Sequence, residues 1–183
     1  MKIGIIAQRL SPKLSESLDI AAKLGVDGVQ LYSATPVENL LDFTTVERRN
    51  IVVNCNNLGL EILSICGEVG GFGFRLREKN PKLVEKSKRN IDLALELGCR
   101  IVTSHIGTVR PSPDDPFRLA QLEALGEIGG HAESCGACFA IETGPETGRE
   151  LRAFLKQLNS AGIKVNLDPG NMVMVTGENP ADT

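Results

Sequence analysis

The chain has 183 residues, 20 Lys+Arg against 23 Asp+Glu for a net charge of −3, and 42% hydrophobic residues. That is the length of one globular domain with room for a substantial core. The mild negative charge, the lack of a basic run and the scarcity of aromatics (six Phe, one Tyr, no Trp) argue against a nucleic-acid partner.

The amino terminus, MKIGIIAQRL, is too short in apolar residues for a signal core or a membrane span, so a cytoplasmic protein with no membrane partner is expected. Five cysteines, an odd number scattered through apolar segments, fit a reducing compartment rather than a disulfide scaffold.

Along the chain, short β-branched runs alternate with amphipathic stretches. The pattern predicts strands at 2–7, 28–33, 60–66, 100–106, 138–143 and 163–168, and helices at 12–24, 45–58, 81–97, 116–134 and 147–160. Leu14, Leu18 and Ala21 share one helical stripe that Gly25 stops. Gly98 and Gly162 end later helices in the same way, and Pro81 opens one. PSPDDP at 111–116 reads as a loop entering a helix, and no internal domain boundary is expected. Strands apolar on both faces, each followed by a helix, predict an α/β protein with a parallel sheet. The strands recur about every 32 residues, so eight units need about 258, close to a closed (β/α)8 barrel of roughly 250 and about 75 more than this chain has.

Ligands of parallel α/β folds bind where strands meet their following loops. Those points hold Gln8 and Arg9, Glu68, His105, Glu142, and Asp168 with Asn171. Glu142 and Asp168 end neighbouring predicted strands, so their carboxylates either share a proton or bind a cation, although each also suits a helix cap or turn. His105, one of two histidines, suits acid–base or ligand roles; His131, inside a helix, reads as a surface residue. Arg9 suits an anionic substituent. Glu68 precedes GEVGGFG, which lacks a dinucleotide-binding pattern and reads as a pocket loop or lid. Cys135 and Cys138 form C-x-x-C at the end of a helix rather than its start, against a redox role.

The segments KIGIIA, AAKLGVDGVQLY, TSHIG, AIETGPE and VNLDPGNMVM, in this order, resemble the xylose isomerase-like TIM-barrel superfamily, with the closest match to its sugar phosphate isomerase/epimerase members. The resemblance implies one domain over 1–183, a (β/α)8-type barrel incomplete here, with about six units present and strands 7 and 8 lacking. It implies one divalent cation (Mn2+, Mg2+, Co2+ or Zn2+) held by Glu, Asp, His and Glu, of which Glu142 and Asp168 match the first two. It further implies that Glu142 moves a proton through a cis-enediolate, that His105 binds substrate and assists catalysis, and that Asn171 and, more weakly, Glu68 contact substrate hydroxyls. The implied activity is isomerisation or epimerisation of a sugar, sugar phosphate or polyol. Two protein ligands hold a hard cation weakly, so the 183 residues alone are expected to be inactive. The alternatives are a non-catalytic protein that binds a small molecule or oligomerises, a homodimer among the options, and an apurinic endonuclease-like enzyme, which the charge and two histidines disfavour.

Overall fold

The computed structural model describes residues 1–70 and 73–182. Six strands alternate with five long helices among the described residues: β1 Gly4–Ile6, α1 Leu14–Leu24, β2 Gly28–Tyr32, α2 Thr45–Asn57, β3 Glu61–Cys66, α3 Asn80–Glu96, β4 Ile101–Ser104, α4 Pro116–Ser134, β5 Cys138–Glu142, α5 Gly148–Leu158 and β6 Ile163–Asn166. Each expected element is present and its kind is right. The expected strands run past their ends where a loop takes over, so β1 gives way to a 3-10 turn at Ala7–Arg9 and β6 stops at Asn166. No helix of the described residues is long and apolar enough to cross a membrane.

The chain forms two compact units. One comprises residues 1–68 and 89–102, the other 69–88 and 103 onward.

In the first unit β1 pairs with β2 and β2 with β3, all parallel. Val29, Leu31 and Ile65 are fully buried, which is what strands covered on both faces require. At Gly28 a Cβ would stand 2.3 Å from the Glu61 carbonyl oxygen, so β2 and β3 approach as only glycine permits. Leu14, Leu18 and Ala21 of α1 turn inward. Leu14 N–H donates to the Glu38 carboxylate at 2.9 Å, a cap supplied from the loop after β2, and Gly25 ends the helix at φ 72°. Thr44 and Glu47 form a capping box on α2.

In the second unit β5 and β6 pair in parallel, with Glu142 opposite Asn166. Phe139, Ile141 and Phe154 are fully buried, and Phe74 meets Phe139 edge-on at 6.4 Å. Asp115 caps α4 ahead of Pro116, as the PSPDDP loop predicts. Thr147 and Glu150 form a second capping box on α5. At Gly162 a Cβ would lie 2.0 Å from the Gly129 carbonyl oxygen, so α4 and the approach to β6 touch backbone to backbone. Within the glycine-rich segment read as a lid, Gly71 and Phe72 lie outside the described residues. Beyond them Phe74 N–H donates to Ile106 O at 3.0 Å.

Candidate functional site

Glu142 is the last residue of β5, and its side chain keeps 18% of its surface exposed. Because β5 and β6 run parallel in register, Asn166 sits opposite it and donates from Nδ2 to Glu142 Oε2 at 3.3 Å. The turn after β6 supplies a second donor: Asn171 Nδ2 reaches Glu142 Oε1 at 3.3 Å and the Thr143 carbonyl at 3.1 Å. His105, one residue past β4, places Nε2 3.3 Å from Glu142 Oε1, an ion pair whenever the imidazole is protonated.

The turn that carries Asp168 is fixed by its own chemistry. Asp168 precedes Pro169, and its Oδ1 accepts the Asn171 N–H at 3.1 Å, capping the helical turn Pro169–Asn171. Thr143 Oγ1 accepts the Asp168 N–H at 2.8 Å and donates to the Asp168 carbonyl at 3.2 Å, so the two strand ends are sewn together. The loop holding His105 is supported by buried Gln121 of α4, whose Nε2 donates to Ile106 O at 3.0 Å and Gly107 O at 3.2 Å.

His105, Glu142, Asp168 and Asn171 thus occur within one unit, with the first two and Asn171 in direct contact. Asp168 uses one carboxylate oxygen as a cap, the bland role the sequence also allowed. Asn166 was not foreseen; strand alternation places it on the face of Asp168, two residues on, and that was the available signal.

Glu146, also unforeseen, is 4% exposed in the loop after β5. Burial pushes its carboxyl above the ordinary range, against the pull of N–H groups of Val109, Gly144 and Glu146 itself. Its Oε2 has no hydrogen-bond partner among the described residues.

Carboxylate oxygens suit a hard divalent cation: Glu142 offers them at the end of β5 beside neutral amides, and Asp168 keeps one oxygen beyond its cap in the turn after β6. An imidazole beside a carboxylate also suits proton transfer at a substrate carbon or hydroxyl.

Arg9 and Glu68 occupy the first unit, where they line a cleft of about 670 Å³ beyond the carboxyl ends of β1, β2 and β3. The Arg9 guanidinium lies 5.5 Å from the Tyr32 ring centroid. Gln8 fixes Tyr32 by accepting its N–H at 3.0 Å and donating to its carbonyl at 3.2 Å. Elsewhere, Cys135 and Cys138 are free thiols, and His131, expected at the surface, is half-buried with Nε2 3.9 Å from Cys135 Sγ.

The family described as xylose isomerase-like TIM barrel matches residues 18–183. No protein with a curated description matches the chain. Among solved structures, a xylose isomerase domain protein from Planctomyces limnophilus superposes with a TM-score of 0.83 at 23% identity, over 99% of this chain and 68% of its own. A xylose isomerase-like TIM-barrel protein from Mycobacterium smegmatis in complex with magnesium gives 0.71 at 24%, over 88% and 57%. D-psicose 3-epimerase with D-tagatose from Clostridium cellulolyticum H10 gives 0.75 at 17%, over 94% and 65%. The chain therefore spans between about half and two-thirds of these proteins, and its six βα units are a partial TIM-barrel-like fold. The chain belongs to the xylose isomerase-like TIM-barrel family.

Proposed function

We propose that this chain carries the first six βα units of a metal-dependent isomerase or epimerase of a sugar, sugar phosphate or polyol. The observation that carries the reading is the Glu142 carboxylate at the end of β5, held by Asn166 and Asn171 and faced by His105, with Asp168 in the adjoining turn.

In this reading Glu142 and Asp168 hold one divalent cation (Mn2+, Mg2+, Co2+ or Zn2+), with further ligands coming from elements other than these six units. When bound, the cation supplies Lewis-acid stabilisation to a ketose oxygen. Glu142 removes the proton from the carbon next to the carbonyl, giving a cis-enediolate, and the amides of Asn166 and Asn171 keep its carboxylate aimed. His105 Nε2 exchanges a proton with the neighbouring hydroxyl, and Asn171 orients a second one. Arg9 and Glu68 are read as ligand-binding residues of the first unit's own cleft. The magnesium complex of the Mycobacterium relative and the ketose complex of the Clostridium epimerase support this assignment by likeness of fold.

Calorimetric titration of the chain with Mn2+ tests it. Weak binding, about millimolar, is expected in the parent chain, whose two carboxylates are only part of the ligand set, and it is expected to be lost in both Glu142→Gln and Asp168→Asn. A parent chain that takes no Mn2+, or variants that bind it as the parent does, rejects the reading.

A further inference from the structure

The last turn of α4 brings an imidazole and a thiol together. His131 and Cys135 stand four residues apart on one helix face, and the Cys135 N–H still donates to the His131 carbonyl at 3.2 Å, so helical geometry holds through both. Gly136, at φ 68°, closes the turn: its N–H donates to Glu133 O at 3.1 Å and the Ala137 N–H to Ala132 O at 2.9 Å. The backbone that carries the two side chains is therefore fixed before any ligand arrives.

His131 Nε2 lies 3.9 Å from Cys135 Sγ. As thiol and imidazole the two gain little from each other at that distance, because sulfur is a weak hydrogen-bonding partner. As ligands of one ion they gain far more. With bonds of about 2.1 Å to nitrogen and about 2.3 Å to sulfur, a tetrahedral ion sets its two ligand atoms about 3.6 Å apart. The observed separation differs from that by a few tenths of an ångström, which small side-chain rotations close.

The surroundings favour a cation. Both residues belong to the carboxyl-terminal turn of a 19-residue helix, the end whose dipole attracts positive charge. Ser134 Oγ donates to His131 O at 2.8 Å and lies 3.7 Å from Cys135 Sγ, so its hydroxyl can turn to support a thiolate. The pair is half-buried, and water reaches it to fill further coordination positions. Cys138 differs: Lys164 acts on its charge, and a cation already beside it opposes a second.

Ligand type decides the ion. Thiolate with imidazole suits zinc-like, borderline-soft ions, whereas Mg2+ and Mn2+ keep to oxygen donors.

We propose that His131 and Cys135 form a binding site for one thiophilic divalent ion of the zinc class, completed by water. On binding, the Sγ–H proton leaves to solvent as the sulfur–metal and nitrogen–metal bonds form. The site shares no residue with Glu142 and Asp168. It precedes Cys138 at the start of β5, and Glu142 closes that strand about 13 Å further on. Two protein ligands where a structural site has four place the dissociation constant at roughly 1–100 µM.

The test titrates the full chain with Cd2+, which bonds thiolates as Zn2+ does and reports the bond as an ultraviolet charge-transfer absorption, under a phosphine reductant. The parent is expected to show the absorption, saturating at one ion per chain, with Zn2+ displacing Cd2+ and excess Mn2+ leaving it in place. Cys135→Ser is expected to abolish the absorption, His131→Ala to weaken Cd2+ binding at least tenfold, and Cys138→Ser to match the parent. Saturating Zn2+ is expected to raise the melting temperature of the parent and of Cys138→Ser but not of Cys135→Ser. In the parent itself, millimolar Zn2+ is expected to slow iodoacetamide alkylation of Cys135 about tenfold and to leave that of Cys138 unchanged, a readout that needs no variant to fold.

No absorption below millimolar Cd2+, absorption that survives Cys135→Ser or disappears in Cys138→Ser, unchanged affinity in His131→Ala, or equal protection of the two cysteines overturns the proposal.

Discussion

Glu142 and Asn166 stand opposite one another in the parallel register of β5 and β6, and their side chains hydrogen-bond across the strands at 3.3 Å. A carboxylate at the end of one strand is thus aimed by an amide from the next. The arrangement needs only the fixed spacing of paired strands and two residues of the right kind.

This pair is measurable by a double-mutant cycle. Asn166→Ala, Glu142→Ala and the double variant, unfolded in urea, are expected to give a coupling of about 0.5–1.5 kcal/mol, the usual net worth of such a bond. A coupling indistinguishable from zero would show that the two side chains do not hold one another in solution.

Glu146 makes a pH-dependent prediction. Its folded-state pKa is raised by burial, so the folded protein holds the proton more tightly than the unfolded chain, and stability falls as pH climbs from the ordinary carboxyl value of 4.5 through the raised one. Glu146→Gln removes that loss while keeping an oxygen for the Val109 N–H. The variant's stability relative to the parent is therefore expected to improve steadily from pH 4 to pH 7, read from thermal unfolding across that range. A difference that is flat or runs the other way refutes it.

Gly162→Ala is expected to destabilise by roughly 1–3 kcal/mol, because the new methyl would sit 2.0 Å from a carbonyl of α4 and only backbone movement relieves it. Gly126→Ala on the same helix, where a Cβ meets nothing within 4 Å, serves as the control and is expected to hold or raise stability. Equal effects of the two changes in chemical denaturation would contradict this account.

The thiols separate by burial. Cys55, Cys66 and Cys99 are buried, and burial pushes Cys55 up to about 11, whereas Cys135 and Cys138 are half-exposed. An Ellman titration of the native chain at pH 8 is expected to modify Cys135 first, then Cys138, whose thiol burial also raises, and the other three only after unfolding. Rapid reaction of Cys55 in the native state would show that α2 opens locally.

The helices and strands were legible because their signals are local. The Leu14, Leu18 and Ala21 stripe stopped by Gly25 needs one turn of neighbours to be read, and so does Asp115 before Pro116. The site was partly legible for the same reason: Glu142, Asp168, Asn171 and His105 all fall where a β-branched run ends. What escaped depends on distance along the chain. Glu38 caps α1 from 24 residues away, and only the folded β2 loop brings it there. Asn166 looked like ordinary strand until its register with Glu142 was known, and Glu146 looked like a solvated loop residue although its carboxyl is buried.

The cap that Glu38 provides also has a thermodynamic side. Residues 10–12 and 34–37 both line the cleft of the first unit, and the Glu38 bond to Leu14 N–H links the segments just beyond them. The gap between those walls is then governed by the same equilibrium as fraying of the first turn of α1. Ligand size selection at the cleft and local helix melting become one quantity, so warming or mild denaturant should loosen the discrimination against bulky guests before the protein as a whole unfolds.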